Sequence, residues 1–261
     1  MKSPRLILID IDGCLKPPAP APIDLDVLRA LRSFNRECPP TLEQDSCCAI
    51  SLVSGRAQGE IGILLELIES PVPGICENGV ALVFPHGEIV DIDPLVTAES
   101  LEGLSHIKRH HLNYLLEKRL IRLKAGREWS ITICPLDLED LSKVEEICTG
   151  IISKYNYPLH CLVSRRCVDI LPQGVDKGTA LHRLASYLNI PVSDIGGIGD
   201  SRGDLALLKQ AGFSACPQNA HPCVKHVVDY VSQRKFSDGV LEILSFWLEN
   251  RYDIKNKYLV S

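Results

Sequence analysis

The segment Leu6-Ile7-Leu8-Ile9-Asp10-Ile11-Asp12-Gly13-Cys14 constrains the fold more than any other part of the chain. A short, unbroken apolar run is the pattern of a strand buried on both faces, as in a parallel sheet covered by helices. Asp10 and Asp12 lie two apart at its end, so on an extended backbone both carboxylates leave the same side. Two like charges held that close are costly unless a cation or a shared proton offsets the repulsion. A turn or a cap needs one aspartate. The pair points to chemistry.

Two more runs repeat the pattern. Ala49-Ile50-Ser51-Leu52-Val53 stops at Ser54-Gly55-Arg56, and Ile195-Gly196-Gly197-Ile198-Gly199 stops at Asp200. Helical patterns follow them, and others cover about 24–35 (Asp24 as N-cap), 177–188 and 238–249, with residues 36–48 read as a loop. Strand, helix, strand is the rhythm of a parallel α/β sheet. From about residue 82 the character changes. Strand-like pieces at 82–84, 88–92, 128–134, 160–164 and 167–171 alternate with helical patterns over 97–119 and 137–155. The expected organisation is a core of residues 1–84 and 172–261, interrupted by an inserted α/β module of residues 85–171.

Composition narrows the function classes. With 261 residues and a net charge of −5, the chain has no global attraction for nucleic acid or an anionic membrane. No apolar stretch reaches the length of a membrane span, and Asp10 and Asp12 interrupt the one N-terminal run that a secretory signal would need. The expected location is the cytoplasm, with no nucleic-acid or membrane partner; monomer and homodimer both stay open. Eleven cysteines, an odd number, read as free thiols in a reducing compartment. Cys216, His221, Cys223 and His226 lack the paired spacing of a structural zinc site and are not expected to hold one.

Asp10, Ser54 and Asp200 each sit just past a predicted buried strand, where the strand ends of a parallel sheet converge on one crevice. Lys177 precedes a helix, and Asp204 lies one helical turn beyond Asp200 and can face the same way. Singly, each could be a helix cap or a surface charge. All of them falling in order at strand and helix ends is poorly explained by capping. Other phosphate sites fail on inspection: the chain has no Gly-x4-Gly-Lys-Ser/Thr loop, no correctly spaced dinucleotide fingerprint and no Gly-x-Ser-x-Gly elbow.

At these residues the chain resembles the haloacid dehalogenase-like superfamily, within its IIB or Cof-type group of sugar phosphatases. Four signatures stand in order: Asp10-Ile11-Asp12-Gly13-Cys14, Ser54-Gly55-Arg56, Lys177-Gly178-Thr179-Ala180-Leu181, and Gly199-Asp200-Ser201-Arg202-Gly203-Asp204. Glu77-Asn78-Gly79, Val168-Asp169-Ile170-Leu171-Pro172, Asn219-Ala220 and Asp238-Gly239-Val240 are further pieces typical of the group. The resemblance implies a Rossmann-like parallel-sheet core with an inserted α/β cap. It also implies a small phosphorylated substrate, with Asp10 as nucleophile and Asp12 as general acid and then base. The acid role asks Asp12 to keep a proton at neutral pH. Ser54, Gly55 and Lys177 would hold the phosphoryl oxygens. Mg²⁺ would be held by Asp10, the Asp12 backbone carbonyl and Asp200, with Asp204 supporting the site directly or through water. Arg56, Asn78, Asn219 and Arg165 are rim candidates.

Two departures stand out. Cys14 replaces the usual Thr and is expected to be a packed small residue. Gly203 stands where this group usually has Asn. Between His106 and Arg127 a basic stretch (Lys108, Arg109, Lys118, Arg119, Arg122, Lys124, Arg127) is set against one acid, Glu117. It could steer an anionic substrate, or be largely a solvated face. The leading function is a Mg²⁺-dependent phosphatase acting on a small metabolite, with a sugar phosphate the expected substrate. A phosphosugar mutase and a non-catalytic phosphometabolite-binding protein are the alternatives.

Overall fold

The computed structural model describes residues 3–18, 20–37, 48–85 and 88–248, so most of the loop expected at 36–48 lies outside the described residues. The chain runs through β1 (Leu6–Ile9), α1 (Leu25–Arg36), β2 (Ala49–Leu52), α2 (Gln58–Leu67), β3 (Gly74–Cys76), β4 (Ala81–Val83) and β5 (Ile89–Ile92). It continues through α3 (Ala98–His106), α4 (Asn113–Glu117), β6 (Ile121–Leu123), β7 (Ile131–Pro135), α5 (Leu141–Tyr155), β8 (Leu159–Val163) and β9 (Val168–Pro172). The last part holds α6 (Lys177–Tyr187), β10 (Ile195–Ile198), α7 (Leu205–Gln210), β11 (Phe213–Cys216), α8 (Pro222–Lys225), β12 (Tyr230–Val231) and α9 (Phe236–Leu248).

Five strands form a parallel sheet in the order β12-β11-β10-β1-β2, with β1 hydrogen-bonded to both β10 and β2. The alternation of β1 explains why it is apolar throughout. Ile7 and Ile9 pack with Val27 and Leu31 of α1 and Ile243 of α9, while Leu6 and Leu8 pack with Leu181 and Leu184 of α6 and Leu207 of α7. Each side chain leaves water for one of two helical layers, contributing about 1.5–3 kcal/mol. No helix among the described residues is long and apolar enough to cross a membrane.

Beyond this sheet, β3, β4 and β5 make a small antiparallel sheet, and β6-β7-β9-β8 make a second, four-stranded antiparallel sheet. β5, which follows the expected insertion point at residue 85, pairs with β4. On the four-stranded sheet, Ile131, Ile133, Val168 and Ile170 face Leu104 and Ile107 and, from α5, Val144 and Cys148. The alternate residues, Thr132 and Asp169, face the other way. They are direct cross-strand partners.

The single helix expected over 97–119 is two helices joined by a π turn at Ile107–His111. Leu112 N–H donates to Ile107 O at 3.2 Å, and both side chains are fully buried. A five-residue spacing places both against the sheet, which a regular 3.6-residue helix would not.

Among the described residues the expectation of free thiols fails at Cys134 and Cys167, which form a disulfide with their Cα atoms 4.2 Å apart. The register accounts for it. Ile133 lies opposite Val168, so the next antiparallel pair outward is Cys134 and Cys167. Thirty-three residues separate them in the chain, and the strand pairing alone brings them together.

Candidate active site

Lys177 is the hub of the crevice at the C-terminal edge of the parallel sheet. It opens α6, whose N-cap Asp176 accepts from Gly178 N–H and Thr179 N–H, both at 2.8 Å. A cation at a helix N-terminus opposes the helix dipole, so other groups must hold it there. The ammonium donates to Asp10 Oδ1 at 2.7 Å and to Asp204 Oδ1 at 2.6 Å, with all three side chains buried. Burial works against its charge, but the two carboxylates outweigh burial and keep Lys177 firmly protonated.

The carboxylates differ in their surroundings. Burial pushes Asp10 well above the usual range; Lys177 pulls it down, while Asp204 and Asp200 push it up. At Asp204 burial is overcome by Lys177 and by Ser201, and its pKa falls. Asp204 Oδ2 accepts from Asp200 N–H at 3.1 Å and from Ser201 N–H and Oγ–H, both at 2.9 Å, so both oxygens are engaged within the protein. Asp200 is fully buried and lies at about 7, raised by burial and then by Asp204, against Arg165 and Lys177. Neither of its oxygens accepts a hydrogen bond.

Asp12 departs from expectation. Arg56 clasps its carboxylate with Nε at 2.8 Å and Nη2 at 2.9 Å, and Lys16 lies at 3.6 Å. Burial favours the proton, but the Arg56 hydrogen bonds and charge win, with Lys124 and Lys16 adding to them. Asp12 is therefore held as a carboxylate, where the acid role asked for a proton. An opposite charge in bidentate contact outweighs a like charge two residues away.

Asp10, Cys14 and Asp200 place one ligand atom each within 4.8 Å of one another, and among the described residues they are the metal-capable trio. Gly13 makes this approach possible: its φ is +112°, and a Cβ there would stand 2.3 Å from Asp200 Oδ2. Cys14 is packed and fully buried, as expected, yet its thiol also faces this trio. Burial and the neighbouring carboxylates keep it protonated. The Cys216–His226 cluster has a local use instead: His221 Nδ1 accepts from Cys223 N–H at 3.2 Å and caps α8.

A cavity of about 100 Å³ opens above Asp10 and Lys177. Ser54, Gly55, Arg56 and Asn78 line its wall on the parallel-sheet side. Gly55 is required there, because a Cβ would stand 2.8 Å from the Asn78 amide. Gly203 also lines the cavity, and Leu162 of β8 lies 3.7 Å from where its Cβ would be. Asn219 and Arg165 do not line it. Asn219 braces the Gly13 loop, donating from Nδ2 to Gly13 O at 2.8 Å, and Arg165 reaches Asp200 from the β8–β9 turn.

The opposite wall escaped prediction as a site. Lys124, Thr132, Leu162, Ser164, Cys167 and Asp169 line that side. Thr132 Oγ donates to Asp169 Oδ1 at 2.6 Å, and burial raises the Asp169 pKa. The available signal was one polar residue, second of five, in each of two otherwise apolar strands. Of the basic stretch, Lys124 reaches the cavity and Arg127 donates to Gly55 O at 3.1 Å, whereas Lys108, Arg109, Lys118 and Arg119 stay on exposed outer surface.

Known proteins share this architecture. The family described as haloacid dehalogenase-like hydrolase matches residues 129–244. A phosphoglycolate phosphatase of Methanothrix thermoacetophila is 35% identical over 111 residues, which cover 41% of this chain and half the length of that protein. The phosphoglycolate phosphatase of Natronomonas pharaonis is 27% identical over 251 residues, covering 94% of this chain and 98% of the relative. The crystal structure of the Thermoplasma acidophilum 0175 protein superposes with a TM-score of 0.73 at 23% identity, covering 94% of this chain and 98% of that one. Residues 129–244 are thus similar to haloacid dehalogenase-like hydrolases, and the chain as a whole shares the fold of the Thermoplasma acidophilum protein.

Proposed function

We propose that the protein is a phosphomonoester hydrolase acting on a small phosphorylated acid through an aspartyl-phosphate intermediate. The observation that carries this reading is Lys177, held between Asp10 and Asp204 at the floor of a cavity walled by Ser54 and Gly55. In this reading an Asp10 oxygen attacks phosphorus as the ester P–O bond breaks. Lys177, Ser54 and the Gly55 backbone steady the phosphoryl oxygens, where charge is spread in the transition state. Asp12 protonates the leaving oxygen, then takes a proton from the water that frees phosphate. The acid half needs Arg56 to loosen its grip on Asp12, and an incoming phosphate offers the guanidinium another partner. Residues 85–171 act as the cap that closes the crevice.

The residues present fit a hard divalent cation. Asp10 and Asp200 converge, and neither Asp200 oxygen accepts a hydrogen bond, with Arg165 ion-paired to Oδ2. Mg²⁺ held by Asp10, the Asp12 main-chain carbonyl and Asp200 would neutralise part of the charge that develops on the phosphoryl group. Asp204, with both oxygens engaged, supports the site from behind.

Cavity size favours a leaving group smaller than the sugar expected from the sequence. Drug-sized ligands occupy roughly 300–1,000 Å³, against about 100 Å³ here. Lys124 at the rim supplies a cation for a carboxylate, and the two relatives described above are named for phosphoglycolate. A phosphorylated two- or three-carbon acid is therefore the substrate class.

The test is phosphate release from a panel of phosphorylated short acids, sugar phosphates and nucleotides with Mg²⁺, ranked by kcat/KM. Short acids should lead. A sugar phosphate at the top would restore the larger leaving group, isomerisation without stoichiometric phosphate would indicate a mutase, and no turnover of any ester would leave a binding protein.

A further inference from the structure

We propose that Arg165 is a cation-responsive latch, its guanidinium and a divalent cation competing for the Asp200 carboxylate. The inference rests on the cation reading of Asp10 and Asp200 given above. It assigns Arg165 to the control of that site rather than to substrate contact.

The turn between β8 and β9 carries the latch. Ser164 N–H donates to Cys167 O at 2.9 Å, and Cys167 N–H donates to Ser164 Oγ at 3.1 Å. The disulfide from Cys167 to Cys134 ties the same turn to β7. Arg165 therefore projects from a braced corner of the four-stranded sheet, and its position is coupled to that of the sheet.

Its far end is fixed on the parallel-sheet side by two contacts. Nη2 donates to Asn219 O at 2.6 Å and lies 2.8 Å from Asp200 Oδ2. Asn219 in turn donates to Gly13 O, so one guanidinium spans the buried carboxylate and the residue that braces the Asp10–Gly13 loop. Asp200 is 0% exposed and its oxygens accept no hydrogen bond, so a cation that approaches them meets the guanidinium as its rival. Two positive charges on one carboxylate repel, and a divalent ion with several oxygen ligands wins over a single ion pair.

The displaced side chain has somewhere to go. Arg165 is 34% exposed and lines a second cavity of about 290 Å³ at the seam, whose wall includes Glu145, Ser142, Ser201 and His221. Glu145 offers the guanidinium an alternative carboxylate there. Linkage then makes the effect reciprocal: Arg165 weakens cation binding by the same factor by which the cation weakens the latch.

Mn²⁺ binding by calorimetry tests the competition in wild type, Arg165→Gln, Arg165→Lys and Asp200→Asn, with hydrogen exchange of residues 164–167 read with and without Mn²⁺. Arg165→Gln should bind Mn²⁺ about tenfold more tightly, within the range usual for coupled sites. Arg165→Lys, which keeps the charge, should stay close to wild type and shows that the tightening is not a folding defect. Exchange at 164–167 should rise on adding Mn²⁺ to wild type and be raised already in Arg165→Gln. Equal or weaker affinity in Arg165→Gln overturns the competition, and unchanged exchange on adding Mn²⁺ overturns the release. If Asp200→Asn binds Mn²⁺ as wild type does, the cation reading itself fails.

Discussion

The two walls of the crevice are built on different principles. On the parallel-sheet side, Asp10, Ser54, Lys177, Asp200 and Asp204 are buried, and a carboxylate there is tolerable only with its partner within hydrogen-bond distance. On the antiparallel side, Thr132 and Asp169 are single polar residues on a sheet face, paired with each other and backed by apolar neighbours. Changing Lys177 in the first wall leaves buried charges behind. On the second wall Asp169 is buried too, but its partner is the neutral Thr132 hydroxyl rather than an opposite charge. In the proposed function, chemistry belongs to the first wall and selectivity to the second.

The largest test of that division is Asp10→Asn. It removes the oxyanion proposed to attack phosphorus while keeping the shape, and phosphate release should fall by at least about 10³-fold, as for other covalent nucleophiles. Circular dichroism should show the fold retained. Lys177→Met comes next. It strands Asp10 and Asp204 without their cation, and removing one partner of a buried pair costs about 3–5 kcal/mol. Urea denaturation measures this, and adding Asp10→Asn to Lys177→Met should recover part of the loss. If Lys177→Met proved neutral, the parallel-sheet wall would not depend on charge compensation.

On the opposite wall the comparable constraint is covalent. Breaking the Cys134–Cys167 bond in a Cys134→Ser, Cys167→Ser variant frees a loop of some thirty residues in the unfolded chain. The expected loss is about 3–4 kcal/mol on the chain-entropy account. Hydrogen exchange should rise in β6, β7, β8 and β9 and stay unchanged in β1 and β10. A rise across both sheets would mean that they unfold as one unit, joined through Glu77. That buried side chain accepts from Glu128 N–H at 2.9 Å, Trp129 N–H at 3.2 Å and Ser130 Oγ–H at 2.6 Å.

The same contrast explains what could be read from the chain. Asp10, Ser54, Lys177 and Asp200 were visible because each follows a buried strand or opens a helix, and those positions leave little choice of residue type. The parallel sheet was visible because β1, β2 and β10 are buried on both faces and almost wholly apolar. Asp169 was seen only as part of a typical Val-Asp-Ile-Leu-Pro piece. Its role depends on register, which puts it opposite Thr132 and beside Lys124, and alternation alone does not fix which strand pairs with which. The disulfide was hidden for the same reason. The Asp12 proton was misjudged because its control lies with Arg56, forty-four residues away, and not with Asp10.

The smallest expected effect sharpens the comparison most. Lys124 sits at the cavity mouth, and its charge is felt at both Asp12 and Asp169. If it belongs to the selective wall, Lys124→Met should raise KM for a phosphorylated short acid about tenfold or somewhat more, as expected for losing one hydrogen bond to a charged group. For an aryl phosphate with no carboxylate, both constants should stay near wild type. This split separates uniform substrate binding from transition-state stabilisation, because losing a group that acts on the transferring phosphoryl lowers kcat for every ester alike. An equal fall in kcat on both substrates would move Lys124 to the chemical wall, by way of Asp12, and the boundary between the two walls would then run through the antiparallel sheet rather than along its face.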